Sequence, residues 1–247
     1  MLRKLLKYEF KATSRTFIPV YIAILFVSLV NRLVRITDSK LVMNLSEVVL
    51  VGLFIALGVL TIIGVVQRFK NNLLSDEGYL MFTLPVTTTK LITSKIVTTI
   101  IWSIASAVVA SVSFVILMVD GDFIRNFDLI AEIIKHINNM QGSDLILFIE
   151  VLLTLLMSYV GFILIIYLSL ATAQLPRFNK HRGVVSFVTF FVISTIIQWI
   201  GVIIVNVMNP PYDDLTMATM ALIVSILLNG ILFYSTNYIL KKHLNLE

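Results

Sequence analysis

The chain has 247 residues, 58% of them hydrophobic and 13% charged, with a net charge of +5 and a mean hydropathy of +0.98. Soluble domains carry about 25% charged residues, so the composition argues against a water-soluble fold and for a membrane one. The absence of cysteine excludes disulfide frameworks, thiolate nucleophiles and cysteine metal sites. The basic residues flank apolar runs and do not gather on a soluble face, so membrane topology explains them better than nucleic-acid binding.

The first segment, MLRKLLKYEFKATSRTF, sets Leu2, Leu5, Leu6, Phe10 and Phe17 against Arg3, Lys4, Lys7, Lys11 and Arg15. That pattern predicts a basic amphipathic helix over 1–16, lying in the membrane interface. No small-residue cleavage site follows it, which argues against a signal peptide.

Six apolar runs come next: Phe17 to Val34, Val48 to Val66, Ile96 to Val119, Leu145 to Leu175, Val184 to Met208 and Leu215 to Leu240. Each approaches or exceeds the roughly 18–20 apolar residues that cross the hydrocarbon core. The expected fold is therefore all-α and polytopic, a single membrane domain over 1–247 with six transmembrane helices. With the N-terminus inside, 14 lysines and arginines fall on inner segments and 5 on outer ones. That asymmetry predicts both termini in the cytoplasm, N-in and C-in.

The largest outer connection runs from Asp120 to Asp144, and IAEIIKHINNM within it has the pattern of a short surface helix. The last outer connection, from Asn209 to Asp214, holds two prolines and reads as a tight turn. Small residues at four-residue spacing, Ser103, Ala107 and Ser111 in the third span and Gly52 and Ala56 in the second, predict helix-packing faces, either within the bundle or between subunits.

Chemistry-bearing motifs are scarce. No phosphate-binding loop and no GxSxG or HExxH pattern occurs, so no catalytic and no metal-binding residues are expected. His136, His181 and His243 are scattered one to a segment. Glu150 lies in the outer part of the fourth span, within reach of water. Gln198 and Asn229 fall near the middle of the fifth and sixth spans. Mid-membrane amides either hydrogen-bond a neighbouring helix or line a pathway, and both readings stay open here. Phe187, Phe190 and Phe191 are lipid-facing or core, with a ligand-binding role as the alternative.

The polar interlude over 67–95 differs from every other connection. Leu73, Leu74, Leu80, Met81 and Leu84 give a short helix one apolar side, with Asp76 and Glu77 beside it and Gly78 and Tyr79 interrupting it. Pro85 ends it, and Thr87, Thr88 and Thr89 are placed to cap the third span. The result is a cytoplasmic helix–turn–helix elbow, readable either as an ordinary interfacial loop helix or as a handle for a partner groove.

At these residues the chain resembles the membrane subunit of ABC transporters of the type-2 exporter class. The resemblance rests on the basic amphipathic N-terminal helix, six spans in about 250 residues, and the stretch Asp76-Glu-Gly-Tyr-Leu-Met-Phe-Thr-Leu-Pro-Val followed by Lys95. Small bacterial permeases of this class carry a very similar stretch after the second span. The resemblance implies a non-catalytic subunit of the bacterial plasma membrane, with ATP and Mg bound by a separate cytoplasmic ATPase subunit. It implies a second permease subunit, identical or related, and a pathway near the two-fold axis.

On the same resemblance, the segment over 1–16 would be the connecting helix. The coupling helix would meet the ATPase through Leu74, Asp76, Glu77, Gly78, Tyr79, Leu80, Phe82 and Pro85, and Gln198 would lie near the pathway. The apolar interior suggests peptide, antibiotic or other amphipathic cargo. The rivals are an ion-coupled secondary transporter, which would want charges or broken helices at the midplane, and a structural or sensory membrane protein that transports nothing.

Overall fold

A computed structural model describes residues 2–36, 40–74, 86–118, 135, 142–208 and 213–242. Among them the chain is helical, with six long helices: α1 (Leu2–Ile36), α2 (Lys40–Leu73), α3 (Thr88–Met118), α4 (Gly142–Thr172), α5 (Arg182–Met208) and α6 (Asp214–Lys242). A 3₁₀ turn, Pro176–His181, joins α4 to α5. All six helices are long and apolar enough to cross a membrane, consistent with a multi-pass membrane protein. The expected surface helix within 120–144 and the turn at 209–212 lie outside the described residues.

The helices begin before the apolar stretches that seeded them, whereas α4 stops at Thr172, short of the run's end at Leu175. α3 begins at Thr88, eight residues before the run starting at Ile96, because Thr88 to Lys95 contains no breaker and the Thr87 carbonyl accepts from Lys90 N (2.9 Å) and Leu91 N (3.3 Å). The N-terminal end differs more. The amphipathic segment expected as a separate interfacial helix is the opening of α1, which runs unbroken for 35 residues, about 52 Å at 1.5 Å per residue. Pro19 sits inside α1; proline removes one backbone bond but is tolerated in membrane helices.

The chain divides into two compact units. The first comprises Met1–Val65 and Thr93–Asn138. Its core holds Phe17, Tyr21 and Ile24 of α1 and Leu57 of α2, with Trp102, Ala105 and Val109 of α3 packed against it. The Phe17 ring stacks on Trp102 at 5.1 Å and lies against Gly64, where an added Cβ would sit 3.7 Å from the ring. Hydrogen-bonded partners on α1 and α3 keep a constant sequence separation: 86 at Glu9–Lys95, 85 at Tyr21–Ser106 and 85 at Ser28–Ser113. A constant separation means the two helices run parallel, in register, over about 28 Å at 1.5 Å per residue.

The second unit comprises Val66–Ile92 and Asn139–Glu247. Here α4 packs along α6 and more lightly against α5. The separations between α4 and α6 partners are 69 at Glu150–Thr219 and 72 at Met157–Asn229, so this pair is parallel too. In each unit the parallel pair is separated in sequence by one other long helix. That is the arrangement expected of helices crossing one layer in alternating directions, and it does not depend on which end faces the cytoplasm.

Within the chain, the four-residue stripes are only partly buried: Ser103 and Ala56 are half-buried. Ala107, Ser111 and Gly52 are exposed within the chain, and an added Cβ at Gly52 would meet nothing within 4 Å. The buried serines of α3 are Ser94, Ser106 and Ser113, of which the last two, seven apart, face Tyr21 and Ser28, also seven apart. The helix is rich in small residues on several sides, so composition alone does not single out the face that packs.

Candidate functional site

Of the residues expected to form the coupling helix, Leu74 is described; Asp76, Glu77, Gly78, Tyr79, Leu80, Phe82 and Pro85 lie outside the described residues. The two ends of that segment belong to the second unit and are firmly held. The α2 helix finishes in buried side chains, Phe69, Leu73 and Leu74, and Leu74 N closes its last turn on Lys70 O at 2.9 Å. Phe69 stacks on Tyr167 of α4 with ring centroids 4.0 Å apart and planes 12° from parallel, and both rings are fully buried. On the far side, Leu91 and Ile92 are buried, and Thr88 donates from Oγ1 to Asn237 Oδ1 of α6.

The end of α2 therefore rests on α4 and the start of α3 on α6. Helices α4 and α6 are packed on each other, with Ile163, Leu164, Tyr167 and Ala171 of α4 and Leu232, Thr236 and Leu240 of α6 buried at the same level. Burying a large apolar side chain contributes roughly 1.5–3 kcal/mol. The concentration of such residues makes this the most heavily buried part of the second unit. Lys70 at the end of α2 and Lys180 of the 3₁₀ turn are exposed.

In the first unit, α1 meets α3 through a buried ion pair that the sequence reading missed. Lys95 Nζ donates to Glu9 Oε1 at 2.8 Å, with the residues 3% and 7% exposed. Further along the same seam, the Tyr21 hydroxyl donates to Trp102 O at 3.0 Å. Its single proton is thereby used, so Ser106 Oγ is the donor in their 2.8 Å contact. Ser28 and Ser113 close the series, and Asn31 is buried beyond them with neither amide atom partnered among the described residues. The sequence did carry one signal. Glu9 is the only acid among the five basic residues of the N-terminal segment, and Lys95 is the last cation before a long apolar run. What it lacked was any link across the 86 positions between them.

The two mid-helix amides part company. Gln198 is exposed on α5; its neighbours Ile197 and Gly201 line a cavity that it does not. Asn229 does line that cavity, an opening of about 490 Å³ between α4, α5 and α6. Its Nδ2 donates to Met157 O of α4 at 2.8 Å, the neighbour-helix bond that a mid-membrane amide is expected to make. Its Oδ1 lies where a Cβ on Gly161 would come within 2.8 Å, so Gly161 is what admits the amide so close to α4. Nearer the other end of the pair, Thr219 Oγ1 lies 3.3 Å from Glu150 Oε2, while its hydroxyl also donates to Leu215 O of its own helix at 2.6 Å. On α5, Phe187 and Phe191 are exposed, and Phe190 meets Phe162 edge-on at 6.1 Å. Among the described residues no group of three or more His, Cys, Asp or Glu is placed to hold a metal ion.

Comparison with protein-family models, with characterised proteins and with solved structures finds no match to this chain.

Proposed function

We propose that this chain is the membrane-spanning, non-catalytic subunit of an ATP-binding-cassette exporter, driven by a separate cytoplasmic ATPase subunit. The observation that carries the reading is the footing of the elbow. The segment with the DEGYL–LP pattern leaves α2 beside a buried Phe69–Tyr167 stack and re-enters α3 beside the Thr88–Asn237 bond. A surface loop that only joins two spans needs no such anchorage, whereas a handle does, because force applied to it must reach the helices. Six membrane-length helices and the excess of lysine and arginine on the segments assigned inside support the same reading, with both termini cytoplasmic.

In this mechanism ATP and Mg belong to the partner, and the chain converts the partner's closure into helix movement. The ATPase pulls on Asp76 to Pro85, and the pull arrives on α4 and α6. ATP binding shifts the permease only in so far as it favours one conformation over the other. A second permease subunit completes the assembly. α5, whose most apolar window has no buried residue within the chain, leaves ample surface for lipid or that subunit. The host membrane on this reading is the bacterial plasma membrane.

The test is purification of the tagged chain from its native membrane in mild detergent, with the co-purifying ATPase measured. An ATP-binding subunit whose hydrolysis is stimulated by the permease supports the reading. A chain that purifies without one, from cells expressing the neighbouring genes, overturns it.

A further inference from the structure

The cavity between α4, α5 and α6 has a composition that selects what it holds. No ionisable side chain lines it; its polar groups are Thr154, Ser158, Ser225 and Asn229. Thr154 and Ser225 donate their hydroxyl protons back to Glu150 O and Leu222 O of their own helices, each at 2.8 Å. Asn229 gives an amide proton to Met157 O. That bond fixes the amide's orientation, since a flip would set oxygen against oxygen. Asn229 Oδ1 is left without a hydrogen-bond donor among the described residues, and so is the Ser158 hydroxyl without a partner.

We infer that this cavity is a binding site for an uncharged, membrane-dissolved molecule bearing a hydroxyl, whose proton is received by Asn229 Oδ1. Three features favour such a molecule over other occupants. An ion would lie in an apolar chamber with no counter-charge, at a cost of several kcal/mol. Asn229 is the sixteenth of the 29 residues of α6, near the middle of a membrane-length helix, whereas phospholipid headgroups stay about 15 Å from the midplane of a core about 30 Å thick. A plain hydrocarbon would leave the amide oxygen unpaired, which costs about 1–3 kcal/mol. The volume is that of a site for a drug-sized molecule.

The site is also mechanically connected. Asn229 lies two turns along α6 from Asn237, about 12 Å at 1.5 Å per residue, and Phe162 lies five residues along α4 from Tyr167. Asn237 and Tyr167 are the residues that foot the elbow. Binding itself does not depend on the ATPase, so its test stands apart from that of the proposed function.

The test is photolabelling of the purified chain in nanodiscs with a diazirine-bearing long-chain primary alcohol, its methyl ether and the matching carboxylate. The alcohol is expected to label α4 and α6 saturably, in competition with unlabelled alcohol, and about five-fold more tightly than the ether, the ratio one net hydrogen bond gives. The carboxylate should not compete. Asn229→Leu should abolish the preference for alcohol over ether. Because Asn229→Leu also removes the Met157 bond, Gly201→Leu is the companion variant. Gly201 lines the cavity and has nothing within 4 Å of an added Cβ, so leucine is admitted at its Cβ, occupies cavity space and should weaken labelling by both probes. Non-saturable labelling, equal labelling by alcohol and ether, or labelling unchanged in Gly201→Leu would overturn the inference.

Discussion

Replacing Lys95 by methionine keeps the length of the side chain and removes its charge. Glu9, 7% exposed and bonded to Lys95 at 2.8 Å, would then be a buried carboxylate that has lost the Lys95 ammonium. Breaking a buried pair from one side costs about 3–5 kcal/mol, because the remaining charge is uncompensated, whereas replacing both partners by neutral groups is often close to neutral. Lys95→Met should therefore lower stability by an amount in that range, Glu9→Gln by a similar amount, and the double variant by no more than about 1 kcal/mol. The assay is a double-mutant cycle on equilibrium unfolding of the detergent-solubilised protein by SDS titration. A coupling energy below about 0.5 kcal/mol, the limit of ordinary additivity for independent sites, would refute the reasoning. It would mean that α1 is held to α3 by the aromatic and hydroxyl contacts alone.

Two further substitutions separate neighbouring features. Gly161→Ala brings a Cβ to 2.8 Å from Asn229 Oδ1, while Gly230→Ala meets nothing within 4 Å. Gly161→Ala should be the less stable of the two by about 1–2 kcal/mol, the worth of the displaced hydrogen bond plus crowding; equal stabilities in the same SDS titration would contradict the packing of α6 on α4. Phe69→Ala empties one side of the stack with Tyr167 and should cost about 3–5 kcal/mol. On the proposed function it should also reduce permease-stimulated ATP hydrolysis more than an exposed change of similar size such as Phe187→Ala. Equal effects on hydrolysis would remove the elbow's footing from the mechanism.

The six membrane-length helices were legible because each contains a long, mostly apolar run of the length a bilayer demands. Their ends were not, because helix continues through polar residues that have no reason to stop it, as from Thr88 to Lys95. The junction near Phe17 was hidden for the same reason. A change from amphipathic to apolar patterning marks a change of surroundings, and α1 passes through it without a break. Asn229 was legible as a mid-helix amide with two possible roles, and its bond to Met157 is the helix-bridging one. Gln198 looked equivalent by depth, yet one step around α5 from Ile197 leaves it off the cavity wall. Glu9–Lys95 and Phe69–Tyr167 were not legible. Each joins positions far apart in sequence, 86 for the ion pair, and local pattern carries no register between helices. The parallel register of α1 with α3 supplies what the sequence lacked.

The central claim is that the elbow between α2 and α3 transmits work from an ATPase. It is tested most directly by ATP hydrolysis and transport in the reconstituted complex carrying Asp76→Ala, Glu77→Ala and Tyr79→Ala together. The account predicts a protein that inserts and unfolds like the wild type, with permease-stimulated hydrolysis and transport both lost. Stimulated hydrolysis and transport at wild-type levels in that triple variant would contradict it.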